Sequence, residues 1–411
     1  MQKVVFIGQI IPEPSSTAMG RRTLQLIELF QSLGASVTFA CAADPSAYAA
    51  DFAALGVAKM DLPLNDSSVD GALADLAPDV VVFDRFIAEE QYGWRVAAQC
   101  PSAIRILDTE DFHSLRLGRQ AAFKRGEAFN FNELLTLEVA KRELASIYRC
   151  DLTLMISKAE ITLLQNVFKL DETLIQYLPF LEPHLAPNHL EACVGFEQRK
   201  DFVSLGNFAH EPNWQSVLQL KKEIWPLISA QLPEAKLYVY GAYPSEKVQQ
   251  LHQEKEGFII KGRAENAHEV LSKARVLIAP LAFGAGLKGK FIDAMQVGTP
   301  SVTTTIGAEG MYGNLPWQGY VTDNPQDFAN KAVALHNEKP LFEQAQRNGV
   351  ELINQLFTLP QATPFIEKVN AIRKDLHAHR AQNFIGQMLM HHSLQSTKYL
   401  SKWIEEKNME R

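Results

Sequence analysis

Cysteine is scarce. Its four residues, Cys41, Cys100, Cys150 and Cys193, stand far apart in a chain of 411 and form no CxxC pair. That excludes a disulfide scaffold or a zinc ribbon and suits a reducing compartment. Excess positive charge is also missing: 40 Lys and Arg against 47 Asp and Glu leave a net charge of −7. A polyanion binder carries the opposite balance, so nucleic acid is excluded as the main partner. No window approaches the ~20 apolar residues of a spanning helix. The apolar run Val4 to Gly8 is too short for a signal-peptide core and suits a buried first strand. No repeat with a period of ~20–50 residues recurs, against a solenoid. HxH and HExxH spacings are absent, so Asp108, Asp111 and His113 are not read as a metal site. The expectation is a cytoplasmic chain, soluble or resting on the inner face of a membrane.

What is present is an alternation of short β-branched runs and amphipathic helices, the pattern of parallel sheets covered by helices. Val4–Ile7, a Pro- and Ser-rich loop, a helix from Arg21 to Leu33 ended by Gly34, and a strand Val37–Cys41 make one βαβ unit. Further strands are read at Val80–Phe83, Ala103–Leu107 and Leu152–Ile156. The last follows a helical stretch from Phe123 to Tyr148, and Ser157 is placed to cap the next helix. The segment Pro179 to Lys200 reads as an interdomain connection. A second series follows: Phe202–Gly206, a helix Trp214–Leu232, Lys236–Gly241, Phe258–Ile260, Val276–Pro280, a helix Leu287–Val297, Ser301–Thr305 and Tyr320–Thr322. The expected layout is an α/β domain over 1–185, a linker over 186–200, and a second α/β domain over 201–362. A helical segment over 363–411 is expected to pack back on the first domain through Phe384, Ile385, Met388 and Leu389.

Chemistry concentrates in VLIAPLAFGAGLKGKFIDAMQVGTPSVTTTIGAEGM, residues 276–311. A strand ends, Gly284 and Gly286 let the backbone approach a ligand, and a helix then points its free N–H groups at that loop. Lys288 and Lys290 add positive charge, which suits a phosphate or diphosphate. Asp293, a turn further on, is placed to accept hydrogen bonds from a ribose diol. The plain alternatives are solvated lysines and a carboxylate that complements the helix dipole. Arg21 and Arg22 follow Gly20 at an already positive helix end, an unfavourable placement that invites an anionic ligand. His113 follows a strand end that lines a cleft, although a lone His is more often structural. His210 and Asn213 belong to the loop after the second domain's first strand, as cleft residues or as a turn and N-cap. Arg263 is a candidate border of the nucleobase. The stretch from His113 to Arg125, with Arg116, Arg119 and Lys124, reads as a solvated helix face, or else as a surface for an anionic membrane or acceptor.

The run GAGLKGKFIDAMQVGTPSVTTTIGAEG resembles the nucleotide-sugar site of two-domain glycosyltransferases of the GT-B fold. It is similar above all to the retaining family 4 (group 1). GNFAHEPN, with Gly206, resembles a loop of some members, and PSSTAMGRR, with Gly20, resembles the family's acceptor loop. Two departures stand out. Asp293 occupies the second place of the family's glutamate pair while Ala285 occupies the first, and Ala282 stands where many relatives have Arg. The resemblance implies two doubly wound, Rossmann-like domains facing a cleft, with acceptor on the first and donor on the second. It implies glycosyl transfer from a nucleoside-diphosphate sugar to a hydroxyl of a carbohydrate, lipid-linked or protein acceptor. No cofactor is implied beyond the donor itself. His113, Lys288 and Glu309 would face the reacting sugar and phosphate. Gly20, Arg21, Gly206, His210, Arg263, Gly284, Gly286, Lys290 and Asp293 would line the donor site. The alternatives are a catalytically degenerate scaffold on the same fold and a nucleotide-sugar epimerase.

Overall fold

The structure is a computed structural model that describes residues 2–409; the side chains of residues 392–395 are not described. Its strands form two sheets, all parallel. The first holds β1 (Lys3–Gly8), β2 (Ser36–Cys41), β3 (Ala58–Asp61), β4 (Val80–Asp84), β5 (Ile104–Asp108), β6 (Leu152–Met155) and β7 (Ile175–Tyr177), in the order β3-β2-β1-β4-β5-β6-β7. The second holds β8 (Lys200–Leu205), β9 (Leu237–Tyr240), β10 (Phe258–Gly262), β11 (Ala274–Ala279), β12 (Ser301–Thr303) and β13 (Gly319–Val321), in the order β10-β9-β8-β11-β12-β13. Helices cover both faces, so successive side chains of the central strands β4, β5 and β6 are all buried. Val5 and Ile7 enter one core of the first domain and Val4 and Phe6 the other. This is the GT-B layout of two doubly wound domains.

The order of each sheet reverses once, between β1 and β4 and between β8 and β11. Ligands of open parallel sheets bind at the carboxyl ends of strands beside such a reversal. The loops after β1, β8 and β11 are the Ser-rich loop, GNFAHEPN and the glycine-rich loop. The chain crosses between domains twice at one place, where Glu182 bridges Thr358 in parallel. Returning there, it lays Phe365, Val369 and Ile372 of the Thr363–Lys374 helix into the first domain's core, with Phe365 edge-on to Phe30.

Four local expectations are corrected. The helix read from Phe123 to Tyr148 is broken. Gly126, at φ +71°, closes a helix over His113–Arg125, and the next runs over Glu138–Arg149. A left-handed glycine is a common helix stop. The helix read over Trp214–Leu232 starts earlier, at Glu211, and contains a π turn over Leu220–Ile224 just before Pro226, which has no N–H to donate. Ser157 stands at the N-cap of the Lys158–Phe168 helix, but its hydroxyl makes no capping bond there. Finally, Phe384 is 68% exposed and Ile385 and Met388 are exposed too. The last helix, Phe384–Met409, rests on Glu138–Arg149 and Arg85–Gln99. Its holds are polar: Asn383 donates to Tyr148 O at 2.7 Å and Arg95 pairs with Glu405 at 2.6 Å. No helix among the described residues is long and apolar enough to cross a membrane.

Candidate active site

The glycine-rich loop leaves β11 and enters the Gly289–Gln296 helix, whose N-cap is Lys288. Gly286 takes φ +63°, and a Cβ there would stand 3.0 Å from both Asp111 Cβ and the Glu110 carbonyl oxygen of the first domain. Glycine is therefore needed twice over, for its backbone angle and for the close approach. Gly284 is different, since a Cβ there would meet only ordinary contacts. Ala285 packs its methyl against the first domain's core.

Lys288 and Lys290 both turn inward. Lys288 Nζ donates to Gly286 O at 2.9 Å, and Lys290 Nζ donates to Asn213 Oδ1 at 2.7 Å. Both acceptors are neutral. Burial pushes the Lys288 ammonium down to about 8, against the pull of Glu309 and Glu160. Burial and the neighbouring Lys288 push Lys290 down to about 7. Desolvated cations at a helix N-terminus form an anion site. Asn213 lies inside the first turn of the Glu211–Gln219 helix, so it is not an N-cap, and Gly206 closes over its side chain.

Asp293 is engaged across the cleft by Arg21, with His268 Nε2 3.3 Å from the same carboxylate oxygen. Its carboxyl stays below the usual range: burial opposes this, but His268 and Arg21 prevail. Arg21 and His268 both engage Oδ1 of this carboxylate. Gly20 stands close against the backbone of Glu13, so it fixes the loop after β1. Arg22 is not a ligand for an anion. It is 1% exposed and donates to Asp108 at 2.9 Å and to Leu178 O at 2.8 Å. Arg263 bonds Ser15 Oγ at 2.8 Å and lies 4.0 Å over the Tyr48 ring, on the rim between the domains.

His113 begins the His113–Arg125 helix, whose first amides are held by buried Glu143: His113 N at 2.8 Å and Ser114 N at 2.9 Å. Burial nevertheless raises the Glu143 carboxyl to about 8. The imidazole lies 2.9 Å from Asp111, whose other oxygen accepts from Arg116 at 2.6 Å. These partners hold Asp111 below the usual range despite its burial. His210 faces this trio from the second domain. Burial and the cations Arg116 and Lys290 push its imidazole down to about 4, so it is neutral at pH 7.

Three further residues join the site without having been singled out by the sequence. Arg119, read as part of a solvated helix face or else of a surface for an anionic membrane or acceptor, is 7% exposed and clamps Glu309 with two bonds of 2.7 Å while donating to Gly284 O at 2.8 Å. Glu160, on the Lys158–Phe168 helix, accepts from Gly286 N at 2.6 Å. Burial, with Asp111 nearby, raises its carboxyl to about 7. Glu110 adopts φ +63° at the end of β5, and its buried Oε1 has no hydrogen-bond partner. Burial and Asp108 hold its carboxyl well above the ordinary range. A pair of acids brought close across the β4–β5 register, Asp84 and Asp108, was the available signal for this edge. The clamps on Glu309 and Gly286 come from another domain and left none. No group of three His, Cys, Asp or Glu among the described residues is arranged to hold a metal.

Residues 199–338 match the family model described as glycosyl transferases group 1. The chain carries a group 1 glycosyltransferase domain. That domain contains Lys288, Lys290, Asp293 and Glu309, and the first domain supplies Arg21 to Asp293 and Arg119 to Glu309. Among solved structures, Anabaena HepE in complex with UDP and glucose superposes with a TM-score of 0.64 at 12% identity, over 90% of this chain and 100% of that one. Sucrose-phosphate synthase from Thermosynechococcus elongatus gives 0.63 at 14% identity, over 92% and 100%. S. aureus TarM gives 0.55 at 15% identity over 73% of this chain, which spans only 58% of TarM's length. At such identities the likeness is one of fold. No curated protein matches the chain in sequence.

Proposed function

We propose that this chain transfers a glycosyl group from a nucleoside-diphosphate sugar to an acceptor hydroxyl. The acceptor belongs to a carbohydrate, a lipid-linked glycan or a protein, and no cofactor takes part beyond the donor. The observation that carries the reading is the pair of desolvated lysines at one helix N-terminus, each bonded only to a neutral oxygen. A diphosphate supplies the missing charge. The leaving nucleoside diphosphate gains negative charge as the sugar–phosphate bond breaks. Lys288, Lys290 and the helix dipole are aimed at that charge, so they stabilise the transition state more than the ground state. The ribose diol bonds to Asp293, whose Oδ1 Arg21 and His268 hold. The Asp111–His113 pair forms the opposite wall, facing neutral His210 of the second domain across the space for the donor sugar.

Thermal unfolding with UDP, GDP, ADP and their sugar conjugates tests the reading. A ligand at a hundredfold its Kd adds about 2.7 kcal/mol. One nucleotide should stabilise the wild type and fail with Lys288→Met, and the matching sugar nucleotide should be turned over. The scaffold reading draws on the Arg21–Asp293 pair, which occupies the ribose carboxylate. Binding without turnover with any acceptor would favour it.

A further inference from the structure

Glu160 of the first domain bonds to the backbone of the glycine-rich loop at Gly286, beside the Arg119 bond to Gly284 O. It is 1% exposed. Its two oxygens differ. One accepts from Gly286 N at 2.6 Å, and the other, Oε2, is buried and makes no hydrogen bond with any described residue. The Phe112 amide, turned toward this carboxylate, and the Lys288 ammonium both favour its charged form, and neither meets Oε2 in hydrogen-bond geometry. Leaving one oxygen of a buried carboxylate unpartnered is costly, and the loop itself offers nothing to relieve it, because Ala285 turns only a methyl toward the first domain.

What would complete Oε2 follows from its charge. A phosphate oxygen is excluded beside a carboxylate, and a cation is already at hand in Lys288. The fitting partner is a neutral donor attached to the diphosphate that Lys288 faces, which means a hydroxyl of the sugar. We propose that Glu160 binds a hydroxyl of the donor sugar and so sets donor-sugar selectivity. The proposal rests on the nucleotide-sugar reading of the site. Because Glu160 belongs to the first domain and Gly286 to the second, the carboxylate reaches the sugar only when the cleft is closed. Recognition of the sugar is thereby tied to closure, while the nucleoside diphosphate alone needs only the second domain's lysines.

The test compares full-length wild type, Glu160→Gln and Glu160→Asp by calorimetry, with UDP against UDP-glucose and UDP-galactose, and GDP against GDP-mannose. The Gln variant keeps an oxygen for Gly286 N and so preserves the loop contact. The expected result is a nucleoside-diphosphate affinity within about 2-fold of wild type, and a sugar-nucleotide affinity lower by about 10- to 100-fold, the range for a hydrogen bond to a charged group. Glu160→Asp should fall between the two. In the wild type the ratio of sugar-nucleotide to nucleoside-diphosphate affinity should rise as pH passes about 7, where the Glu160 carboxyl ionises, and stay flat in the Gln variant. Equal loss for both ligand classes, or no loss for either, would overturn the proposal and leave Glu160 as a loop support. Wild type that binds neither class would remove the nucleotide-sugar reading itself, a separate failure.

Discussion

In the first domain, Arg22 lies under Asp108 at 2.9 Å, Asp111 sits between His113 and Arg116, and Arg85 holds Asp84 at 3.0 Å. In the second domain, Lys288 is buried and Lys290 half-buried, yet they bond to a carbonyl and an amide oxygen. These first-wall charges are matched by bonded counterions, whereas the two second-wall cations make no ion pair at bonding distance among the described residues. A balanced set fixes shape. An unbalanced set stores affinity for what is absent, because an incoming anion recovers the desolvation cost already incurred. The contrast teaches which wall to expect as scaffold and which as donor site.

The strongest way to break the contrast is to remove one charge from each wall. Arg22→Met leaves Asp108 buried and unpaired, and denaturant unfolding should show a loss of about 3–5 kcal/mol. Lys288→Met removes a cation bonded only to a neutral carbonyl. Its stability should be unchanged or slightly higher, while nucleoside-diphosphate affinity falls about 10- to 100-fold, as for a lost charge-assisted bond. Equal destabilisation by both would erase the distinction.

A smaller effect comes from pH. The folded-state values of Lys290 and Lys288 lie near 7 and 8, below their ordinary value of 10.5. Both are cationic below those values and lose charge above them. Nucleotide affinity should therefore fall as pH rises through 7 to 8, and binding in that window should take up protons, since a bound anion raises both values. The smallest effect is expected at the clamp between the walls. Arg119→Lys keeps the charge but loses the two-bond fork on Glu309, and should cost about 1 kcal/mol in unfolding and little in nucleotide binding.

The second wall was legible in the sequence because its parts are neighbours. Gly286, Lys288, Lys290 and Asp293 fall within one strand–loop–helix unit, and each has a local reason to be where it is. The opposite wall was not, because its contacts join distant residues. Arg119 meets Glu309 across 190 positions and Glu160 meets Gly286 across 126. Nothing in the spacing around either residue marks it, and an arginine on a mixed helix reads as solvated until its partner is known. The same limit explains Arg22, a candidate ligand by its place at a helix start and a core ion pair in the fold. It explains the last helix as well, where Phe384, Ile385 and Met388 look like an anchor and Asn383 and Arg95 provide it. The α/β alternation, by contrast, is local and reads through, except where Gly126 interrupts a helical pattern.

The most direct measurement is proton-linked calorimetry of the nucleoside diphosphate that stabilises the protein, run at pH 6.5 and 8.5 in buffers of different ionisation enthalpy. It uses wild type beside the Lys288→Met, Lys290→Met double variant. The account predicts tighter binding at the lower pH, net proton uptake near pH 7.5, and loss of both in the double variant. Binding that is independent of pH, or that survives in the double variant with its proton uptake intact, would contradict the claim that these two lysines are the donor's anion site.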